Sequence, residues 1–264
     1  MKVAVVVAVL ALSVAWTYMQ SGARNDLSIY DTANWWNPQS PYAILLRMND
    51  VRVPFFLEQF PRETARVIDV GCGGGFVSEA VARAGFNVTG FDISAGALAT
   101  AKAHADAHKV PVTYTIGSIY AIPLPDASVD VVIVSDVLEH LNDVPKALQE
   151  VTRVLRPGGV FVFDTIARTA WSWLSTYLVA QELMGLVEPG AHDWHMFIQP
   201  AELAKVIQAA GLNTDRAQWA GIVADLSIID ALRNRSIFAI IRSFYRDNHD
   251  FSSSYVGFAQ KPVV

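Results

Sequence analysis

The chain has 264 residues, of which 52% are apolar and 17% charged, and its formal net charge is −5 at pH 7. This length accommodates one α/β domain with an elaborated cap or two small domains, and the composition predicts a large core or a membrane-facing surface. The acidic balance disfavours nucleic acid as a partner, and the single cysteine, Cys72, excludes an intramolecular disulfide and a cysteine-based zinc cluster.

Residues 1–24 are predicted to be a hydrophobic segment separate from a folded domain at 25–264. No charged residue occurs between Lys2 and Trp16, and the apolar run continues to Met19. The run is shorter than the roughly 20 residues of a spanning helix, which indicates a signal-peptide core or a short signal anchor. We favour an uncleaved anchor. A buried N-terminal helix is the alternative, although the run lacks a polar face.

An aromatic segment leads into the domain. Tyr30 and the adjacent Trp35 and Trp36 stand among prolines, and residues 45–57 predict short helices over the edge or top of the sheet. Paired tryptophans indicate packing, and their position before the first strand is also compatible with a substrate lid.

A glycine-rich turn follows the first predicted strand, residues 67–70, and precedes a helix that begins at Phe76. Glycine accepts positive φ and lets a ligand approach the backbone closely. Asp92 ends the second strand, twenty-one residues after Gly71, where an acid can bind ribose hydroxyls. Phe76 occupies the third glycine position of the dinucleotide fingerprint, and no Walker lysine follows. The turn residues are Asp69, Gly71, Gly73 and Gly75.

Strand and helix patterns then alternate, which predicts a doubly wound α/β fold. The first five strands are predicted at 67–70, 88–92, 112–116, 129–135 and 160–164. Two more, at 219–223 and 255–260, are predicted to form an antiparallel end of the sheet. The expected fold is therefore a mostly parallel seven-stranded sheet with a helical cap.

Two insertions interrupt this pattern. Residues 168–190 are strongly apolar, with only Arg168, Glu182 and Glu188 charged, and predict either a packed helical cap or an interfacial helix that enters a bilayer. Residues 225–248 form a second insertion, with helical character around 226–244.

A cluster of polar residues follows the fourth strand, at the sheet edge where α/β proteins bind ligands. One helical turn would direct Asp136, Glu139 and His140 to the same side. Two carboxylates and an imidazole can bind a divalent cation, since oxygen ligands suit Mg²⁺ and imidazole suits Zn²⁺ or another transition metal. The alternative is a helix-capping aspartate followed by two solvent-facing side chains.

The glycine turn resembles the first motif of class I S-adenosylmethionine-dependent methyltransferases. Longer motifs between residues 26 and 262 resemble the ubiquinone-biosynthesis O-methyltransferases. The most diagnostic are Asn34-Trp35-Trp36-Asn37-Pro38, His192-Asp193-Trp194 with Phe197-Ile198-Gln199-Pro200, and Tyr255-Val256-Gly257-Phe258-Ala259. The resemblance implies a Rossmann-like fold and methylation of a catechol or quinol hydroxyl on a polyprenylated ubiquinone precursor at the membrane.

The resemblance also implies roles for individual residues. The methyl donor, S-adenosyl-L-methionine, would contact Arg52, Gly71, Asp92 and Ser135, with Asp69, Gly73 and Gly75 completing the turn. The cation, Mg²⁺ or another divalent ion, would be held by Asp136, Glu139 and His140; the family usually has glutamate at position 136. His192 or His140 is the candidate base, and His192 with Asp193 is alternatively a structural hydrogen-bonded pair.

The expected partners are the prenylated acceptor, a quinone-biosynthesis complex and a membrane surface, reached through residues 1–24 and 168–190. The catalytic domain is expected on the cytoplasmic side, or on the matrix side of the mitochondrial inner membrane in a eukaryote. Two alternatives remain open. One is a methyltransferase for another lipid or small metabolite, and the other is a membrane-tethered S-adenosylmethionine-binding protein without catalysis.

Overall fold

The computed structural model describes residues 25–61, 65–227 and 241–263. The hydrophobic segment predicted at 1–24 lies outside these residues. The α-helices of the described residues are α1 (Ala43–Glu58), α2 (Phe76–Arg83), α3 (Ala95–His108), α4 (Val144–Val154) and α5 (Pro200–Ala209), and a π-helix, Trp173–Leu183, follows the short turn Ala170–Ser172. We refer to Trp173–Leu183 as the cap helix.

The strands form one eight-stranded sheet with the order β3-β2-β1-β4-β5-β8-β6-β7. Their bounds are β1 (Arg66–Val70), β2 (Asn87–Asp92), β3 (Val112–Ile116), β4 (Val129–Ser135), β5 (Leu155–Ile166), β6 (Ala220–Leu226), β7 (Ile241–Asp247) and β8 (Ser254–Gln260). Strands β1 to β5 pair in parallel, whereas β8 and the β6–β7 pair are antiparallel to their neighbours. The predicted doubly wound, mostly parallel α/β fold is confirmed.

The predicted strand number was one too low, because part of the second insertion is a strand. Ile241–Asp247 pairs with β6, with Phe244 opposite Ala224. The helical pattern around 226–244 was therefore wrong at its C-terminal end. A short apolar run is compatible with either a helix or a strand. Here the segment is a strand because it pairs with the edge of β6, whose backbone N–H and C=O groups would otherwise be unpaired. Residues 228–240 of this insertion lie outside the described residues.

The central strands are buried on both faces. In β4, Val132 and Val134 pack in a cluster with α4 and α5, whereas Val131 and Ile133 pack in a second cluster with α1 and α2. Alternate side chains of a strand point to opposite faces, so a strand covered on both faces must be apolar throughout. This explains the continuous apolar run of β4.

The aromatic opening contains one long helix, α1, instead of the predicted short helices. Pro54 lies inside it and is exposed, while Phe55 and Phe56 are buried against the sheet. An internal proline costs a helix about 3 kcal/mol because it removes a hydrogen bond. Burial of the two phenylalanines is of comparable size, at roughly 1.5–3 kcal/mol each, and offsets that cost.

The glycine turn gives a prediction about stability. Gly75 and Gly85 both have left-handed φ angles, 87° and 98°. A Cβ at Gly75 would meet the Tyr114 hydroxyl and Ala101, whereas a Cβ at Gly85 would meet nothing within 4 Å. We expect Gly85→Ala to lower the free energy of unfolding by about 1–2 kcal/mol. We expect Gly75→Ala to lower the free energy of unfolding by about 1–3 kcal/mol more than Gly85→Ala does.

Urea unfolding followed by circular dichroism measures both changes. Gly85→Ala is the control for backbone strain without a steric clash. Equal losses in the two variants would show that the space at Gly75 is not limiting.

Candidate functional site

The glycine turn is held in a ligand-binding geometry by the end of β2. Gly71 and Gly73 have φ angles of 80° and 49°, and the N–H groups of Gly71 and Cys72 donate to the Phe91 carbonyl at 2.7 and 3.0 Å. A Cβ on Gly71 would collide with Val137. The turn therefore requires glycine for its backbone conformation and for close packing. Cys72 is buried, and burial raises the pKa of its thiol well above the usual value, which agrees with a packing role.

Asp92 lies beside this turn, at the carboxyl end of β2. One of its carboxylate oxygens accepts from the Gly73 N–H at 2.8 Å, and the other accepts from the Ser94 N–H at 2.8 Å. The two bonds fix the carboxylate on the wall of the main cavity. Burial raises the pKa of Asp92. Each oxygen keeps a lone pair that can accept a hydrogen bond from a ligand hydroxyl.

Asp69, at the end of β1, is enclosed beneath the turn. Its Oδ2 accepts from the Ser78 hydroxyl at 2.6 Å, and its Oδ1 has no hydrogen-bond partner among the described residues. Burial raises the pKa of Asp69 to about 6. The second oxygen is thus an unsatisfied acceptor next to the cavity.

The paired tryptophans cover the glycine turn from outside. Trp35 is buried over Gly73 and Gly74, and the Trp36 indole donates to the Gly74 carbonyl at 2.9 Å. The Trp36 ring stacks on His104 with centroids 3.4 Å apart. The two rings therefore pack in the fold and also close one side of the turn.

A buried ion network ties α1 to the ends of β4 and β5. Arg52 is 2% exposed and donates from Nη1 to Asp136 and, at 3.1 Å, to Asp164. Its Nε donates to Asn49 and its Nη2 to the Leu45 carbonyl. Arg52 thus lies on the cavity wall, but its nitrogens are largely engaged within the protein, and its contact with the methyl donor stays a prediction.

Asp164 is the shared acceptor of that network. It also accepts the hydroxyl of Ser135, the last residue of β4. Burial and the neighbouring Asp136 raise the pKa of Asp164. Ser135 lines the cavity, so Asp164 fixes two of the predicted donor-binding side chains, Arg52 and Ser135.

The structure assembles a different trio from the predicted cation ligands. Asp136 has a left-handed backbone, with φ of 52°, and its carboxylate faces Arg52. A short 3₁₀ turn, Leu138–His140, begins only after it, so the assumed single helical turn over 136–140 was wrong. Glu139 and His140 meet His192 instead, with one ligand atom from each lying within 4.8 Å of the others.

Glu139 is the least satisfied member of this trio. It is 1% exposed, and its Oε2 accepts from the Thr165 hydroxyl at 2.8 Å, whereas Oε1 has no hydrogen-bond partner among the described residues. Burial and the nearby Asp136 raise its pKa well above the usual value. A buried carboxyl with an orphaned oxygen beside two imidazoles fits a bound cation, and this donor set suits a transition metal better than Mg²⁺.

His140 is held by the opening segment. Its Nδ1 contacts the Asn25 side-chain oxygen at 2.6 Å, and its Nε2 lies 3.3 Å from the Tyr30 hydroxyl. Burial lowers the pKa of His140 well below its usual value. The ring is therefore neutral at physiological pH, and both of its nitrogens have protein partners.

His192 is oriented by Gln181 of the cap helix. The His192 backbone N–H and ring Nδ1 both lie 3.0 Å from the same side-chain oxygen of Gln181. That oxygen can only accept, so Nδ1 carries the proton and Nε2 is the basic nitrogen. Burial lowers the pKa of His192 to about 4. The predicted His192–Asp193 pair was wrong, since Asp193 bonds to His195.

Several of these positioning side chains were not predicted from the sequence. Gln181 is an uncharged polar residue in an otherwise apolar stretch, and Asp164 is the polar end of the apolar strand predicted at 160–164. A polar side chain in an apolar run could therefore have indicated both residues. The sequence pattern gave no indication of the roles of Asn25, Tyr30 and Thr165, because each bonds to a residue far away in the chain.

One cavity of about 870 Å³ is lined by many of these groups, namely Arg52, Asp69, Gly71, Gly73, Asp92, Ser135, Asp136, His140 and His192. It begins at the glycine turn and Asp92, passes Asp136 and His192, and continues under the cap helix. Small-molecule sites measure roughly 300–1,000 Å³, so this cavity can hold two ligands end to end. Within the described ranges, no helix is both long enough and apolar enough to span a membrane.

Comparisons with known proteins identify the family of the chain. A family model described as a methyltransferase domain matches residues 68–163. The chain is 36% identical over 200 residues to the ubiquinone biosynthesis O-methyltransferase of Paramagnetospirillum magneticum, covering 71% of this chain and 79% of that protein. It is 37% identical over 180 residues to the protein of the same name from Ralstonia nicotianae, covering 68% and 76%.

A solved structure agrees at the level of the fold. The S-adenosylmethionine-dependent methyltransferase from Aquifex aeolicus superposes with a TM-score of 0.52 at 16% identity, over 89% of this chain and 94% of that one. The glycine turn with Asp92 is the part of the site that such a donor requires. The chain is an S-adenosylmethionine-dependent methyltransferase and belongs to the ubiquinone biosynthesis O-methyltransferase family.

Proposed function

We propose that the protein methylates a catechol or quinol hydroxyl on a polyprenylated ubiquinone precursor. The observation that carries this proposal is one continuous cavity, which joins the glycine turn to the partly buried, neutral imidazole of His192 and then to apolar walls. The names of the relatives support the acceptor class. A donor, a phenolic ring and an apolar tail would thus lie in line.

The glycine-turn end would bind the donor. Asp92 would accept hydrogen bonds from the ribose hydroxyls, and Gly71 and Gly73, which line the cavity, would allow the ligand to approach the backbone. Gly75, also predicted to contact the donor, does not line the cavity and packs closely against Tyr114 instead. The unsatisfied Oδ1 of Asp69 can accept from the ammonium group of the donor's methionine portion. S-adenosylmethionine supplies an electrophilic methyl group on a sulfonium.

His192 would accept the proton of the acceptor hydroxyl. A free phenol has a pKa of about 10 and is protonated at neutral pH. Its hydroxyl becomes strongly acidic as the oxygen forms its bond to the methyl carbon, so an imidazole with a pKa of about 4 can take the proton at that stage. Gln181 keeps Nε2 as the accepting atom. His140, engaged with Asn25 and Tyr30, would position the ring of the acceptor.

A divalent cation is compatible with the trio of Glu139, His140 and His192. The orphaned oxygen of Glu139 supports this proposal. A cation held there would lower the pKa of the acceptor hydroxyls and orient them. His192 cannot ligate through Nε2 and accept a proton there at the same time, so metal titration of the His192 variant separates the two roles.

Membrane association is proposed from the exposed apolar side chains of the cap. Trp171, Leu174 and Leu183 are 53%, 40% and 63% exposed. An apolar surface next to the cavity would contact the bilayer in which a prenylated acceptor resides. The proposed location is the membrane surface, with the domain on the cytoplasmic side, or on the matrix side of the mitochondrial inner membrane in a eukaryote.

Replacement of His192 tests the proton acceptor. We expect His192→Gln to lower kcat by about 10²–10⁴, with the KM for S-adenosylmethionine unchanged. Because the pKa of His192 is about 4 and the neutral form is active, wild-type turnover should fall only as the pH drops toward 4. The assay uses labelled S-adenosylmethionine and a short-chain demethylated quinol.

His195→Gln is the matched control for this test, since His195 is exposed and lies outside the cavity wall. Its turnover should match that of the wild type. Full activity in His192→Gln would refute the assignment of the base.

Metal binding tests the trio independently of turnover. We expect Glu139→Gln to weaken Mn²⁺ or Zn²⁺ binding by about tenfold or more in calorimetric titration, because it removes a carboxylate ligand. Asp136→Asn should leave the affinity unchanged, because Asp136 faces Arg52. Weaker binding in both variants would favour the trio that the sequence predicted, because Glu139 belongs to both trios and Asp136 only to the predicted one. Absence of metal binding to the wild type would reject the cation.

Vesicle binding tests the membrane proposal. A chain lacking residues 1–24 is expected to co-sediment with liposomes, since the exposed side chains of 168–190 remain. The double change Leu174→Glu and Leu183→Glu in that chain should abolish co-sedimentation. If the shortened chain stays in the supernatant, membrane contact is confined to residues 1–24.

A further inference from the structure

The main cavity extends past the histidines into an apolar arm between α1 and the β6–β7 pair. The side chains that line this arm are Ile44, Leu45 and Met48 of α1, Ala224 and Leu226 of β6, and Ile241 and Phe244 of β7. All of them are apolar. The arm therefore offers no hydrogen bond or charge from these side chains and suits a hydrocarbon ligand.

Two polar links hold the walls of the arm together. The Arg47 guanidinium donates to the Ile241 carbonyl at 2.7 Å, near the start of both elements. The Arg246 guanidinium forms a bidentate pair with Glu58 at 2.9 and 3.0 Å, near their other ends. Helix α1 is thus joined to β7 along its length, and the space between them is a feature of the folded domain.

Exposed apolar side chains border the outer end of the arm within the described residues. Leu226 lines the cavity and is 59% exposed, and Trp171 and Leu174 likewise line the cavity while being exposed. The described part of the rim therefore has apolar side chains from β6 and from the cap, which suits a long apolar chain.

The arm depends on strand β7, Ile241–Asp247, in the described part of the second insertion. Strand β7 is the strand that raises the sheet from the predicted seven strands to eight, and it supplies Ile241 and Phe244. Phe244 lies opposite Ala224 in the antiparallel register, so a large and a small side chain face the arm together. This pair is placed to set the width of the arm.

We propose that α1 and the β6–β7 pair form the subsite for the apolar tail of the methyl acceptor, with Ala224 and Phe244 determining which tails fit. The occupant of the arm is taken to be the tail of the acceptor, because the arm is continuous with the part of the cavity that His192 lines. The reacting hydroxyl would lie beside His192. This inference rests on the proposed function, since it assumes an acceptor that carries a tail.

Two substitutions test the subsite in opposite ways in the full-length protein. Ala224→Phe fills the arm, and Phe244→Ala removes one of its walls. The acceptors are a demethylated quinol with three isoprene units and the same ring with a methyl group in place of the tail. We expect both variants to raise the KM of the prenylated acceptor about tenfold or more and to leave the methyl-substituted acceptor unchanged.

Tyr245→Ala is the matched control. Tyr245 is the aromatic neighbour of Phe244 on the same strand, is half exposed and does not line the cavity. Its KM for both acceptors should equal the wild-type value. Phe244→Leu, which keeps an apolar side chain, should shift the KM in the same direction as Phe244→Ala but less, and thermal unfolding checks that each variant is folded.

The inference is overturned if Ala224→Phe and Phe244→Ala change both acceptors equally or change neither. Calorimetric binding of a farnesylated phenol and of the phenol without its tail gives the same comparison without turnover. A wild-type protein that methylates neither acceptor would reject the proposed function. Tail-dependent binding that is weakened in the two variants, but not in Tyr245→Ala, would still support the subsite, and tail-independent binding would reject it.

Discussion

The geometry of the site depends on one buried, positively charged side chain, Arg52. Its guanidinium reaches from α1 to Asp136 and Asp164, at the carboxyl ends of two neighbouring parallel strands. Two carboxylates in this apolar environment would repel each other and lose hydration, and Arg52 compensates both. Because α1 also lines the cavity through Ile44, Leu45 and Met48, the same ion network fixes this wall of the cavity relative to the sheet.

Burial then determines the chemical state of the groups beyond that network. The imidazoles of His140 and His192 are kept neutral, and the carboxyl of Glu139 resists ionisation, because the apolar surroundings disfavour charge. The result is a region with hydrogen-bonding groups but little net charge. Such a region suits a phenolic ring that must lose a proton only as it reacts.

The sequence predicted the parallel sheet, the glycine turn and the place of Asp92, because these follow from local periodicity and from glycine's tolerance of positive φ. It did not predict the trio of Glu139, His140 and His192. The left-handed residue Asp136 turns the chain out of the assumed helix, and the contact between His140 and His192 crosses about fifty residues of sequence. Strand β7 was missed for a related reason, since only pairing with β6 distinguishes it from a helix.

The segment that opens the domain links the two ends of the cavity. Trp35 and Trp36 cover the glycine turn, and Asn25 and Tyr30 of the same segment bond to His140 at the acceptor end. Residues 25–36 therefore contact both the glycine turn and His140. A change in the position of this one segment would alter the surroundings of the turn and of the histidine together.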